Sequence, residues 1–230
     1  MTGREMQMAF DVQIQNVDGT YEIENKPDSY TIFFHINQSQ ERFVKTRYSG
    51  LNTKKESFEE TQKRTEDLRE LVVESNIATS AGSASDKPNA YIATLPADYF
   101  VAVDEEATIE FIDGLSNPVS KRVGVTESTS DTYRKQIDDP YSPHKLHYED
   151  ARPLRLYKGT SIEVISDGNY TVPTVHLRYL SMPTEISLAV DCALPEHTHS
   201  EIVNMAVSDF LNTVKQSRKK DERPEVMVEE

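Results

Sequence analysis

Apolar residues recur every three or four positions at the start of the chain. Met6, Phe10, Ile14 and Val17 line one helical face, and Gly19 is placed to stop it. Pro27-Asp28-Ser29 marks the next helix start, because an Asp or Ser oxygen accepts the orphan amides of a first turn. Ile32, Phe33, Ile36, Gln40, Phe43, Val44 and Arg47 follow at the same spacing, up to Gly50 at a C-cap position. Tyr30 to Ile36 also has strand propensity, a competing local preference. Ser57 and Glu60 have the spacing of a capping box. A third stripe runs through Phe58, Thr61, Thr65, Leu68, Leu71 and Val72, whereas Glu59, Lys63, Glu66, Asp67 and Glu70 suit solvent. The short Gly-Leu-Asn-Thr link predicts that the second and third helices pair antiparallel.

The pattern then changes from helical to alternating. Ala78 to Asp86 carries no periodicity and reads as a loop. Tyr91–Thr94, Tyr99–Val103, Ala107–Ile112, Leu154–Tyr157, Thr160–Ser166 and Tyr170–Leu180 read as strands, and Ile186–Val190 as one more. Gly114 and Pro118 punctuate this region. Thr129-Ser130-Asp131 starts a short helix over 132–137, ended by Asp138-Asp139-Pro140 and Pro143. Asp167-Gly168-Asn169 predicts a hairpin, since Gly and Asn tolerate positive φ. In the last long strand Val175, Leu177 and Tyr179 share one face, and His176 and Arg178 the other. Pro173 marks a bulge or an edge.

The final helix repeats the capping-box spacing at Thr198 and Glu201, and its stripe is Ile202, Val203, Ala206, Val207, Phe210 and Val214. The expected fold is α+β: a helical-bundle body with an inserted antiparallel β region and a flexible C-terminal tail. Residues 1–77 form the first part of the body, 78–90 a linker, and 91–193 the β-rich insertion with its short helix near 130–137. Residues 194–217 return to the body as the C-terminal helix, and 218–230 are the tail.

Composition narrows the function more than the fold. The 230 residues carry a net charge of −14, which argues against tight binding to a phosphate backbone. No apolar run approaches the ~18 residues of a membrane span, and Met1 to Gln7 lacks the apolar core of a signal peptide. A soluble, intracellular chain is expected. The single cysteine, Cys192, excludes a disulfide framework within the chain and reads as a small buried apolar residue. No phosphate-cradling glycine loop and no nucleophile elbow is present. His197 and His199 are the one pair with a metal-ligand flavour, but two positions apart on a helix start they diverge. His144 and His147 lie in a proline-bounded loop, where a ligand role would need an oligomer axis. Asp138-Asp139 and Asp104-Glu105-Glu106 are adjacent acids that ordinarily face water. With Glu110 and Asp113, the second group suits a local negative surface. No catalytic, cofactor-binding or metal residue is assigned from these patterns.

Five segments, in order, resemble the head-to-tail ring, or adaptor, proteins of short-tailed phages, and in particular the ring proteins of crAss-like phages. Ile32 to Lys45 is similar to the adaptor helix Leu-Asn-x-Ala-Gln-x-x-Phe/Leu-Val, with Ile36 for the leucine and Ser39 for the alanine. Phe58–Arg64 with Asp67–Val72 resembles the helix that follows. Leu95-Pro96-Ala97-Asp98-Tyr99 resembles the start of the β region, and Tyr179-Leu180-Ser181-Met182-Pro183 a strand exit. Leu194-Pro195-Glu196-His197-Thr198-His199-Ser200-Glu201-Ile202-Val203 resembles Leu-Pro-Glu-x-x-His-x-Glu-Ile-Val.

The resemblance implies a structural, non-enzymatic virion protein of the portal–tail region, assembled in the host cytoplasm. It implies a homo-oligomeric ring, commonly twelve-fold, below the portal protein and in contact with other tail ring proteins. DNA passes through such a ring without specific binding, and the C-terminal segment docks on the portal or a neighbouring subunit. An acidic lumen, supplied in part by Asp104 to Asp113, fits that role because it repels phosphates. The alternatives are a metal-dependent enzyme using His197 and His199, and a different phage neck or tail interaction protein.

Overall fold

The computed structural model describes residues 1–17, 26–49, 62–82, 85–146 and 150–221. The chain forms two compact units, one of Met1–Leu71 with Pro183–Glu230 and one of Val72–Met182. The described residues hold five α-helices and two sheets, an α+β composition in which sheets dominate the middle of the chain.

In the first unit, helix α1 (Gly3–Val17) buries Met6, Phe10 and Ile14. Val17 is exposed, and the stop expected at Gly19 lies outside the described residues. Helix α2 (Ser29–Ser49) starts where Asp28 Oδ1 accepts the Thr31 amide at 2.9 Å. The helical option therefore overrides the strand propensity of Tyr30 to Ile36, because Ile32, Ile36, Phe43 and Val44 reach the core only at helical spacing. Gly50, the Gly-Leu-Asn-Thr link and the Ser57/Glu60 capping box lie outside the described residues. Helix α3 (Gln62–Leu68) tightens into a 3₁₀ turn at Arg69–Leu71. The chain closes the unit with a 3₁₀ turn at Glu196–Thr198 and helix α5 (His199–Asp221). Helix α5 buries Ile202, Val203, Ala206, Val207 and Phe210 as expected, and adds Leu211. The Phe10 and Phe210 rings meet edge to face, 5.9 Å apart. The helix runs four residues past the expected end at 217, and of the expected tail 222–230 lies outside the described residues.

Three expectations fail in this unit. Thr198 and Glu201 make no capping box: Thr198 Oγ1 donates to the Pro195 carbonyl at 2.8 Å, while Glu201 turns to Arg47. Ile186–Val190 is a bend, not a strand. Ile186 is buried, its amide donates to Asn37 Oδ1 at 2.7 Å, and the Ser187 amide returns to the Val190 carbonyl. Asp67, expected in solvent, is buried.

The second unit is a sandwich. One sheet has the order β1-β9-β4-β5, where β1 is Val72–Ala78, β4 Tyr99–Ile112, β5 Pro118–Gly124 and β9 Thr171–Ser181. The other has the order β2-β3-β8-β7-β6, where β2 is Ser80–Ala81, β3 Ala90–Thr94, β6 Thr126–Glu127, β7 Leu154–Lys158 and β8 Ser161–Ile165. The region is antiparallel except for β6 against β7. A core of Ala93, Ala107, Ile109, Ile162, Val164, Val175, Leu177 and Tyr179 draws on both sheets. Helix α4 (Ser130–Asp138) covers the other face of the second sheet, with Tyr133 and Ile137 on Leu154, Leu156 and Ile165. Thr129 and Thr132 form the capping box that starts it.

Four readings change here. Val72–Ala78, read as the helical body and its end, is strand β1, paired along its whole length with β9, from Val72 opposite Leu180 to Ala78 opposite Thr174. The loop expected over 78–86, like the linker over 78–90, contains strand β2. Tyr99–Val103 and Ala107–Ile112 are one strand, β4, whose register against β9 shifts three times so that it curves without breaking. Asp167-Gly168-Asn169 is not a hairpin. Gly168 sits at φ +96, but β8 and β9 belong to different sheets, so this turn carries the chain across the sandwich. A tight hairpin instead joins β7 to β8 at Gly159, φ +59. Pro173 lies on a central strand at one of the register shifts, which is the bulge option.

Candidate functional site

The sequence-derived histidine pair sits at the start of α5, and the two rings part company. His197 Nε2 lies 2.9 Å from Asp67 Oδ1. His199 has both nitrogens engaged: the Met1 amine donates to Nδ1 at 2.8 Å, and Nε2–H donates to the Leu194 carbonyl at 2.8 Å. That fixes the neutral Nε2–H tautomer, and burial holds the imidazole below its ordinary pKa. A His197/His199 metal site would have to break at least one of the two His199 bonds. Among the described residues no three His, Cys, Asp or Glu side chains converge as a metal site. His144 is buried, with Nδ1 2.9 Å from Ser142 Oγ; His147 lies outside the described residues.

The strongest polar constellation in this unit is one the sequence did not single out. Asp67, 5 % exposed at its side chain, lies between Arg47 and His197. Arg47 Nε is 2.9 Å from Asp67 Oδ2, and Arg47 Nη2 is 2.7 Å from Glu201 Oε2. The guanidinium also stacks on the Phe43 ring at 4.8 Å. Arg47 thus ties α2 to α3 and α5, which is positioning and not chemistry. The signal was present in part: Arg47 falls on the apolar stripe of α2, an odd place for a cation without a partner.

The second unit holds a comparable cluster. Tyr99 and Tyr157 hydroxyls are 2.9 Å apart, and the Tyr157 hydroxyl donates to Glu105 Oε1 at 2.6 Å. Arg155 pairs with Glu105 at 2.5 Å and stacks on the Tyr157 ring at 4.3 Å. Burial, then the Glu105 bond, pushes the Tyr157 phenol far up, so it acts as a fixed donor and not as an acid. Glu163 is buried between Lys87 at 2.8 Å and Lys158 at 3.3 Å. Burial alone would raise its carboxyl, but donors from Lys87, Ser85 and Lys158 hold it below its ordinary value.

These pairings also redistribute the acidic run expected at Asp104 to Asp113. Glu105 is consumed by Arg155, Glu106 pairs with Arg122, and Asp113 caps its own turn by accepting the Leu115 and Asn117 amides. Burial pushes the Cys192 thiol up, away from the thiolate a nucleophile needs. The remaining conspicuous features are surfaces. Tyr30 and Phe34 are exposed one turn apart on α2, and Met8 and Val12 one turn apart on α1, with Leu188 beside Met8. No described helix is long and apolar enough to cross a membrane.

The polar clusters tie neighbouring elements together, and the class of protein that the chain matches is a structural component of the phage tail. The chain belongs to the phage tail ring protein 3/4 family of crAss-like phages, whose model matches residues 1–222. No curated protein matches the chain.

Proposed function

We propose that the protein is the subunit of a homo-oligomeric ring, twelve-fold in the manner of adaptor rings, lying below the portal protein and against other tail rings. In this role it extends the DNA channel and joins head to tail, and the ring assembles in the host cytoplasm. Helices α1, α2 and α5 act as a small helical body, interrupted in sequence by the β unit. The observation that carries this reading is the family match over 1–222, which spans both units. The exposed pairs Met8/Val12 and Tyr30/Phe34 supply apolar contact area of the kind a subunit interface buries. A net charge of −14 on each subunit is compatible with DNA sliding past without being held.

The deciding experiment is negative-stain microscopy of the purified protein, alone and with portal. Closed rings are expected. A strict monomer at high concentration in the presence of portal would overturn the proposal.

A further inference from the structure

The two edges of the four-stranded sheet are complementary, and we propose that they join copies of this chain, β5 of one copy pairing antiparallel with β1 of the next. The joint deepens the ring reading and rests on it. Strands β1 and β5 are the terminal strands of the sheet, so each turns a row of amide and carbonyl groups away from its one neighbour.

Three geometric facts select this pairing. First, the sheet has four strands, each antiparallel to the next. Strands β1 and β5 therefore run in opposite directions. A second copy set beside the first in the same orientation presents β1 antiparallel to β5, and the alternation continues unbroken. Second, the ladders fix which backbone groups point outward. The Thr79 amide donates to the Pro173 carbonyl, and the Asp113 amide to the Asn117 carbonyl, each on the register of its own strand pair. Alternation then turns Glu74 and Asn76 outward on β1, and Ser120, Arg122 and Gly124 outward on β5. Third, both strands have seven residues, and setting them end to end puts Arg122 opposite Glu74 of the neighbouring copy. Ser120 then faces Asn76, so the outward-pointing groups meet in bonding phase.

Side chains agree with that register. Val73 and Ile77 at one edge, and Val119 and Val123 at the other, are only partly buried against the sandwich core. The pairing places Val119 opposite Ile77 and Val123 opposite Val73, so each edge completes the other's apolar cover. On the outer face Glu74 is 80 % exposed and near Arg178, and Arg122 is 59 % exposed and near Glu106. Across the joint the row reads Arg178, Glu74, Arg122, Glu106, alternating in sign. A groove of about 550 Å³ is lined by Lys121–Gly124 together with Pro143 and Arg152. Pairing β5 with another β5 about its centre would set two Lys121 side chains face to face, which disfavours that closed dimer.

The test is a cross-link. Asn76→Cys and Ser120→Cys are placed in a Cys192→Ala chain, rings are assembled, and the sample is oxidised. Within one chain the two positions are separated by strands β9 and β4, roughly 14 Å at ~4.8 Å per strand, beyond disulfide reach. A covalent ladder of subunit multiples is expected. Rings that give no ladder overturn the joint and leave the ring reading standing. An unsubstituted protein that forms no ring, even with portal, overturns the ring reading and the joint together. A charge exchange serves as the second measurement. Arg122→Glu should abolish rings while the circular dichroism spectrum is unchanged, and adding Glu74→Arg should restore them. Normal assembly of Arg122→Glu would count against the pairing, as would no recovery in the folded double variant.

Discussion

His35 and Arg47 show how single side chains on one helix carry opposite electrostatic burdens. His35 is buried between the Phe34 and Phe210 rings, and its Nδ1 has no hydrogen-bond partner. Burial lowers its pKa below 6.5, against an opposing pull from Asp209. The unfolded chain then takes up the proton first. Stability is complete above pH 6.5 and is lost as pH falls through the window down to the depressed folded value, with a slope of at most about 1.4 kcal/mol per pH unit. His35→Leu should flatten the dependence of stability on pH between about 7 and 5, read by urea denaturation at several pH values. The slope should not vanish, because burial also lowers His144, His176 and His199. Arg47 is the reverse case. Arg47→Met leaves the buried Asp67 carboxylate with His197 as its partner among the described residues, and should cost about 3 kcal/mol. Adding Asp67→Leu should recover part of that loss, whereas a loss equal to the sum of the two single variants would show that the pair is not coupled.

At the scale of elements, the start of α1 depends on one glycine. A Cβ on Gly3 would run into the Ser187 carbonyl, and the Gly3 amide donates to Asp191 Oδ1 at 3.0 Å. Gly3→Ala should therefore destabilise by about 1–3 kcal/mol, despite alanine's better helix propensity, because the clash is with backbone that cannot rotate away. Amide exchange along Met6 to Ile14 reports it, and unchanged protection would contradict the close approach. Helix α4 is tied down differently. Its capping box is exposed, so Thr129→Ala should cost about 1 kcal/mol, seen as faster exchange within Ser130–Asp138 and not as global unfolding. Helix periodicity located most helices, and cap residues located the starts of α2 and α4, because both signals are local. The true strand neighbours were not legible. The Asp167-Gly168-Asn169 turn has hairpin chemistry, yet it bridges two sheets, since turn residues specify a reversal and not the partner of the strand that leaves it.

For the whole molecule, charge and assembly decide behaviour. With −14 on each chain, the protein should not retard duplex DNA at about 150 mM salt, and assembly should not change that. A mobility shift at that salt would contradict passage without binding. The acidic run on β4 adds less to a negative surface than its sequence implied, because Arg155 and Arg122 take up Glu105 and Glu106. Net charge is a sum and could be read directly, but its distribution depends on which cations the sheet register brings alongside.

The sequence by itself determined the α+β composition, the helix stripes, the start of α2 at Asp28 and the tail-ring resemblance, since each is written in residues near one another along the chain. Only the tertiary structure decided that Asp67 is buried against Arg47, that Val72–Ala78 is a strand, and that β1 and β5 end as opposite edges of one sheet. The physical reason is common to all three. A side chain's burial and a strand's neighbour are set by groups roughly 20 to 130 positions away, as Arg47 lies from Asp67 and His197 from Asp67. Local spacing carries no record of such partners.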